Sequence, residues 1–221
     1  MNIYVETVNL EEIRSAMTFG LADGIAFSRI ALGDHSPETE SKARLEEIAR
    51  EFALPVCASV AAISSDDMYR EGRELARISD HIVVELPLVE DALSPMHRLN
   101  SEGITVCAAF VFNAAQAVLA AKAGASIVRV MLDELDAHGQ SGTATLSEIK
   151  ATLESSGEEC DVMVGSPSTA AQFSDSIMSG ADIVCIEPRM LRSLITHPLS
   201  DRGVDKFLSD LSRRPKGRSS S

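Results

Sequence analysis

Two charged residues interrupt apolar runs that otherwise have the composition of buried strands. Glu85 stands near the end of the run Ile82–Pro87, and Arg129 stands in the middle of the run Ile127–Met131. An isolated charge in such a place is very unfavourable, so each group needs a partner or a function. A guanidinium can hold carboxylates by bidentate hydrogen bonds, and a carboxylate can move a proton. The two residues therefore predict either a buried ion-pair network or a site for acid/base chemistry.

Short apolar strands alternate with longer amphipathic segments along the chain, and this pattern indicates the fold. Segments with helical periodicity such as Glu38–Phe52, Asp66–Ile78, Ala114–Lys122 and Thr169–Met178 separate the strands. A parallel sheet closed as a barrel accounts for eight strands that alternate with helices. We therefore predict an α/β fold, a (β/α)8 TIM barrel. The predicted strands are Ile3–Glu6, Gly24–Ser28, Pro55–Val60, Ile82–Leu86, Thr105–Val111, Ile127–Leu132, Val162–Gly165 and Ile183–Ile186.

No linker divides the chain, so we predict one domain over residues 1–212. An amphipathic segment, Asp201–Leu211, follows the eighth strand and predicts an extra C-terminal helix with an apolar stripe that packs on a neighbour. The last residues, 213–221, are basic and rich in serine, which is typical of a disordered tail.

The composition excludes several classes of function. The formal net charge of −13 argues against nucleic acid or an anionic membrane as a partner. No apolar run is long enough to span a bilayer and no signal-peptide pattern is present, so we expect a cytoplasmic protein. The four cysteines have no metal-ligand spacing. We expect Cys57, Cys107 and Cys185 to pack as small apolar residues inside strands.

With the strands placed, the chain resembles the small transaldolase and fructose-6-phosphate aldolase family from Met1 to about Leu211. The resemblance implies a barrel of the class I aldolase/transaldolase type. It also implies a ring-like homo-oligomer, a pentamer or decamer, and a Schiff base between a strand-four lysine and a ketose or ketone donor. The segments that carry the resemblance are 1–7 (MNIYVET), 82–87 (IVVELP), 114–116 (AAQ), 136–142 (DAHGQSG) and 197–207.

The resemblance also identifies departures at the barrel mouth. Glu85 matches the family's strand-four lysine, and every lysine of the chain falls on a predicted helix or in the tail. Ser59 matches a strand-three glutamine, and Glu134 matches the family's phosphate-binding arginine. The family's acidic residue is matched by Glu6, and Ser166 is kept. We therefore expect no ordinary Schiff-base aldolase or transaldolase activity.

The same alignment points Glu6, Ser59 and Arg129 into the barrel beside Glu85. As a site, Arg129 would hold a carboxylate or oxyanion while Glu6 or Glu85 moves a proton, and these three are the predicted catalytic residues. As a structural element, the same groups would fill the space as an ion-pair network. The predicted substrate-binding residues are Ser28, Ser59, Ser166, Arg189 and His138.

A metal site is a further alternative, since Glu6, Glu85, Glu187 and His138 could meet at the C-terminal face and carboxylate oxygens suit magnesium or manganese. Arg129 in the same ring would compete for the carboxylates, so we predict no metal ligand and no cofactor.

Two functions remain. The first is an enzyme that uses acid/base chemistry on a small carbonyl, hydroxy-acid or sugar-derived compound. The second is a non-catalytic relative, a pseudoenzyme that serves as a binding or scaffold protein. An open cavity ringed by Arg129, Glu85 and Ser166 favours the enzyme, whereas a mouth closed by Phe27, Arg29 and Met131 favours the scaffold.

Overall fold

The computed structural model describes residues 1–28 and 38–213. Eight parallel strands form a closed barrel in the order of the sequence, and β8 closes it by pairing with β1. The predicted (β/α)8 barrel with a C-terminal helix is confirmed. The strands are β1 (Asn2–Glu6), β2 (Gly24–Phe27), β3 (Val56–Ser59), β4 (Ile82–Pro87), β5 (Val106–Val111), β6 (Ile127–Val130), β7 (Asp161–Val164) and β8 (Ile183–Ile186).

Helices lie between successive strands and cover the outside of the barrel. The last of them, α10, begins at Pro198, three residues before the predicted start of the C-terminal segment. The predicted tail from residue 214 onward lies outside the described residues. The helices are α1 (Leu10–Thr18), α2 (Glu38–Glu51), α3 (Ser65–Ala76), α4 (Glu90–Ser101), α5 (Ala114–Lys122), α6 (Leu132–Ala137), α7 (Gly142–Ser156), α8 (Ala170–Met178), α9 (Pro188–Ile195) and α10 (Pro198–Arg213).

Local signals fix where the helices begin and end. Asn113 caps α5, because its side chain accepts a hydrogen bond from the backbone N–H of Gln116 at 2.9 Å. Gly124 follows the end of the same helix by two residues, and its φ of 103° is a left-handed conformation that favours glycine. Gly180 follows the end of α8 in the same way with a φ of 101°. These turns aim the chain directly into β6 and β8.

The core has two layers. The larger layer lies between the sheet and the helices and is built of valine, isoleucine and leucine, with Phe27 among them. The smaller layer fills the inside of the barrel and consists of Tyr4, Ala26, Cys57, Val83, Cys107, Ile127, Met163, Ile183 and Cys185. The barrel is therefore a packed core, and its polar side chains lie above this layer, toward the carboxyl ends of the strands.

Among the described residues, no helix combines the length and the apolar character that crossing a membrane requires.

Candidate functional site

The structure brings the three predicted catalytic residues together. Glu6 ends β1, Glu85 lies in β4 and Arg129 lies in β6. Arg129 Nη1 is 3.2 Å from Glu85 Oε2, and Arg129 Nη2 is 3.4 Å from Glu6 Oε1. One guanidinium therefore bridges two carboxylates from different strands, as the charges within apolar runs predicted.

The strand register explains the surroundings of Glu85. In the parallel ladder Glu85 pairs with Ser59 on β3 and with Cys107 on β5. Ser59 Oγ donates to Glu85 Oε1 at 2.5 Å. Oε2 accepts from Arg129 and also lies 3.6 Å from Cys57 Sγ and 3.9 Å from Cys107 Sγ. Both oxygens of this carboxylate are thus occupied, and only 9% of its side chain is exposed.

Glu6 has a more open environment than Glu85. Its Oε1 contacts Arg129, its Oε2 accepts a hydrogen bond from the Ser166 hydroxyl, and 22% of its side chain is exposed. Of the trio Glu6, Glu85 and Arg129, Glu6 is therefore the carboxylate that solvent or a ligand reaches more readily than Glu85.

Arg129 is held as a cation. Burial acts to lower its pKa, but the charges of neighbouring groups, the Glu85 and Glu6 carboxylates among them, outweigh burial and raise the pKa above its ordinary value. Its side chain is 13% exposed, and its Nε is buried without a hydrogen-bond partner in the described part of the chain. The guanidinium consequently keeps donor capacity beyond its two carboxylate contacts.

The interior thiols are neutral. A hydrogen bond with Cys107, burial and the charge of Glu85 together raise the pKa of Cys57 well above its ordinary value. Burial likewise raises the pKa of Cys185. Sequence reasoning placed these cysteines correctly in the core, but it missed that Cys57 and Cys107 contact the Glu85 carboxylate. Alternation indicates only that Cys57 faces the same side of its strand as Ser59, whereas the contact with Glu85 depends on the register between strands.

Two surface depressions flank the site at the carboxyl ends of the strands, and Arg189 and Glu187 line both. The first, of about 440 Å³, is lined by Glu6, Thr7, Glu12, Ser28, Glu187, Pro188 and Arg189. The second, of about 490 Å³, is lined by Asp133, Ser166, Pro167, Ser168, Glu187, Arg189, Met190 and Ser193.

Arg189 is the exposed cation of this rim. Residues 1–28 and 38–213 give it no ion pair and no hydrogen bond, although Glu187 lies in the same depressions. It follows Pro188, the first residue of α9, so its charge is held at the beginning of a helix, where anions are also favoured.

Of the other predicted binding residues, Ser28, Ser59 and Ser166 lie at or near the site and His138 does not. Ser28 lines the first depression and Ser166 lines the second, whereas Ser59 lies below them on Glu85. His138 is not brought to the site: it is exposed after the end of α6, with its Nδ1 2.8 Å from the Glu134 carbonyl oxygen.

In the described part of the chain, the mouth of the barrel is neither a fully open cavity nor a surface closed by bulky side chains. Phe27 points away from it, because alternation along β2 directs its side chain into the layer between sheet and helices. Phe27 therefore does not close the mouth, and Arg29 lies outside the described residues. The Glu85–Arg129 pair fills the centre, and open space lies beside it at the rim.

A strained residue stands on the same side of the barrel. Phe110 has a φ of 61°, a left-handed conformation that is rare for a bulky side chain, and it is 54% exposed. The pairing of β5 with β6 shifts register between Ala108 and Val111, so Phe110 is the extra residue of a bulge. No sequence signal indicated this feature.

The fold and the position of the site define the class of protein: a (β/α)8 barrel whose polar cluster lies at the carboxyl ends of the strands. A profile described as transaldolase/fructose-6-phosphate aldolase matches residues 41–215. A probable transaldolase of Bartonella tribocorum is 34% identical over 95% of this chain and 96% of its own length. A probable transaldolase of Methanococcus maripaludis is 33% identical over 95% of this chain and 97% of its own. The chain belongs to the transaldolase/fructose-6-phosphate aldolase family.

Proposed function

We propose that the protein acts at the barrel rim on a small anionic carbonyl, hydroxy-acid or sugar-derived compound, by acid/base chemistry and without an imine intermediate. The observation that supports this proposal is the neighbourhood of Glu6. It is more accessible than Glu85, and Ser166 and Arg129 orient it. It also shares a depression with Arg189, which has no ion pair in the part of the chain that the structure describes.

Each of these residues has a distinct role in the proposal. Arg189 holds the anionic group of the ligand, which matters because the chain carries a formal charge of −13 and repels anions elsewhere. Glu6 removes a proton beside the carbonyl group, or from a hydroxyl, and returns it to the product. Ser166 and Arg129 orient Glu6. Glu85 holds Arg129 and is a positioning residue, because both of its oxygens are already engaged.

The lysines support chemistry without an imine. The sequence resemblance aligns Glu85 with the family's reactive lysine, and each lysine of the described residues lies on a helix: Lys42 on α2, Lys122 on α5, Lys150 on α7 and Lys206 on α10. An imine forms only where a lysine amine meets the carbonyl carbon. Borohydride reduction in the presence of keto sugars or their phosphates is expected to leave the protein mass unchanged, and a stable adduct would contradict this part of the proposal.

A thermal-shift screen tests the rim site. The panel contains small keto acids, hydroxy acids and sugar phosphates, each with the purified full chain. A ligand at about a hundred times its dissociation constant adds roughly 2.7 kcal/mol of stability, which raises the melting midpoint by several degrees for a chain of this size. Arg189→Ala is expected to abolish the shift. Arg192→Ala, which removes another exposed cation of α9, is the matched control and is expected to keep it.

Activity is then sought with the ligands that give a shift. Glu6→Gln keeps the size of the side chain but cannot accept a proton, so turnover is expected to fall by 10²–10⁴-fold while ligand binding persists. Turnover that survives Glu6→Gln would overturn the role of Glu6.

The alternative function is a binding or scaffold protein in which the trio is a structural plug. The complete engagement of the Glu85 carboxylate favours this alternative. It predicts a flat ligand panel, and it predicts that Glu6→Gln lowers stability because the variant breaks an ion pair. A residue kept for chemistry instead tends to be replaced without loss of stability.

We also propose a cytoplasmic homo-oligomer, a pentamer or decamer as the family resemblance implies. Helix α10 exposes a stripe at helical spacing, consisting of Val204, Phe207, Leu208 and Leu211. The double change Phe207→Ser and Leu211→Ser is expected to yield smaller particles in light scattering after size-exclusion chromatography. The charged-face change Asp210→Ser is the control. A wild-type monomer at micromolar concentration would contradict the proposal.

A further inference from the structure

Three ligand-type side chains converge inside the barrel below the rim. They are the thiols of Cys57 and Cys107 and the carboxylate of Glu85, and all three residues are buried. One thiol comes from β3, the other from β5, and the carboxylate lies on β4 between them. Their ligand atoms all lie within 4.8 Å of one another.

The separations of these atoms suit one tetrahedral ion. With metal–sulfur bonds of about 2.3 Å and a metal–oxygen bond of about 2.0 Å, tetrahedral geometry separates sulfur from oxygen by roughly 3.5 Å and two sulfurs by roughly 3.8 Å. The observed distances from Glu85 Oε2 are 3.6 Å to Cys57 Sγ and 3.9 Å to Cys107 Sγ. Both are within a few tenths of an ångström of the tetrahedral sulfur–oxygen separation, and the two sulfurs lie within 4.8 Å of each other.

The charges around this cluster also balance. Two thiolates and one carboxylate carry three negative charges, which a divalent ion and the Arg129 guanidinium compensate. Binding exchanges the two thiol protons for the ion, so the buried cluster has the same net charge before and after binding. Arg129, 3.2 Å from Glu85 Oε2, then acts as the outer partner that orients a ligating carboxylate.

We propose that Cys57, Cys107 and Glu85 bind one zinc ion inside the barrel, with Arg129 as the outer partner of Glu85. Two sulfur ligands select a thiophilic metal and disfavour magnesium and calcium, which prefer oxygen. Three protein ligands leave a fourth position for a water molecule. The ion links β3, β4 and β5 beneath the rim, and this site does not depend on the proposed reaction at Glu6.

Cobalt and zinc titrations of the chelator-treated full chain test the proposal. Co²⁺ is expected to bind at one ion per chain and to produce thiolate-to-metal absorption together with the intense visible bands of tetrahedral cobalt. The zinc-loaded protein is expected to show two sulfur neighbours at about 2.3 Å by X-ray absorption, with oxygen at about 2.0–2.2 Å. Both readouts use the wild-type protein and need no enzymatic activity.

Cysteine variants locate the ion. Cys57→Ser and Cys107→Ser are each expected to weaken zinc binding by at least tenfold and to reduce the thiolate band. Cys160→Ser, which removes a partly buried cysteine outside this cluster, is the matched control and is expected to leave both unchanged. If a variant of Cys57 or Cys107 fails to fold, the X-ray absorption of the zinc-loaded wild type shows whether two sulfurs bind the ion.

Three results would overturn the proposal: no stoichiometric binding of zinc or cobalt, a zinc environment without two sulfurs, or a thiolate band that only Cys160→Ser removes. A ligand shift at the rim that persists in metal-free protein would still support the proposed function, so the two proposals fail separately.

Discussion

The two ends of the barrel both hold a cation against carboxylate oxygens, but the surroundings of the two ion pairs differ. At the amino end, Lys150 Nζ lies 2.8 Å from both oxygens of Asp182. Asp182 Oδ2 also accepts the backbone N–H of Val162 at 2.8 Å, so one pair joins α7 to the beginnings of β7 and β8. At the carboxyl end, Arg129 joins side chains that project into the barrel from Glu6 and Glu85.

This difference separates a structural ion pair from a candidate site. The amino-end pair holds backbone in place, which is the usual role of that face of a barrel. Within residues 1–28 and 38–213, the carboxyl-end cluster makes only side-chain contacts, and Arg189, in the depression beside its partly exposed Glu6, has no ion pair. The cluster also adjoins open space at the carboxyl face, where barrel enzymes carry their active sites, and this makes it the candidate site.

The largest effect is expected for Arg129→Met, which leaves Glu85 buried without its counter-charge. Loss of one partner of a buried pair costs about 3–5 kcal/mol, and we expect the free energy of unfolding in urea to fall by that amount. The double variant Arg129→Met with Glu85→Leu is expected to recover most of it, because the more deeply buried carboxylate is then gone and only the more exposed Glu6 lacks its partner. A loss below about 1 kcal/mol in the single variant would mean that water already solvates the pair.

A smaller effect is expected at the amino end. Asp182→Ala removes the partner of Lys150 and the acceptor of the Val162 N–H, which costs about 1–2 kcal/mol for groups that are partly exposed. Glu154→Ala is the matched control, because Glu154 is the exposed, more distant partner of Lys150 at 3.9 Å. Urea unfolding measures both variants, and neither is expected to change the ligand shift at the rim. If Asp182→Ala abolished the ligand-induced rise of the melting midpoint, the two ends of the barrel would not differ in function.

The sequence predicted the local elements and the pairing of Arg129 with carboxylates, but not the contacts between distant strands. It predicted β8 and α5 residue for residue, because apolar runs and their capping residues are local signals. It also predicted that Arg129 meets carboxylates, since a charge inside an apolar run must be paired.

Contacts between residues far apart in the chain could not be predicted from the sequence. The contact of Cys57 and Cys107 with Glu85 depends on the register of three strands, and the bulge at Phe110 depends on how β5 meets β6. The unpaired state of Arg189 could not be predicted either, because exposed carboxylates such as Glu187 are close enough in sequence to suggest an ion pair.

The smallest effect concerns Asp161, the first residue of β7, which lies near the Lys150–Asp182 pair. Burial raises the pKa of Asp161 above its ordinary 3.8, Asp182 raises it further, and Lys150 opposes both. A folded-state pKa above the unfolded value means that the folded protein binds the proton more tightly. This contribution to stability is present below the unfolded pKa and is lost as the pH rises through the folded pKa.

Asp161→Asn removes this dependence, so the variant is expected to be more stable than wild type at pH 7 and no more stable below about pH 3.8. The gain is expected to stay below about 1 kcal/mol, because the side chain is only partly buried and solvent screens its interactions. Urea unfolding at a series of pH values measures the gain. In an Asp182→Asn background the gain should shrink without vanishing, since burial and not Asp182 is the larger cause. An equal gain in both backgrounds would show that the two carboxylates do not interact, and the amino-end cluster would then reduce to the Lys150–Asp182 pair alone.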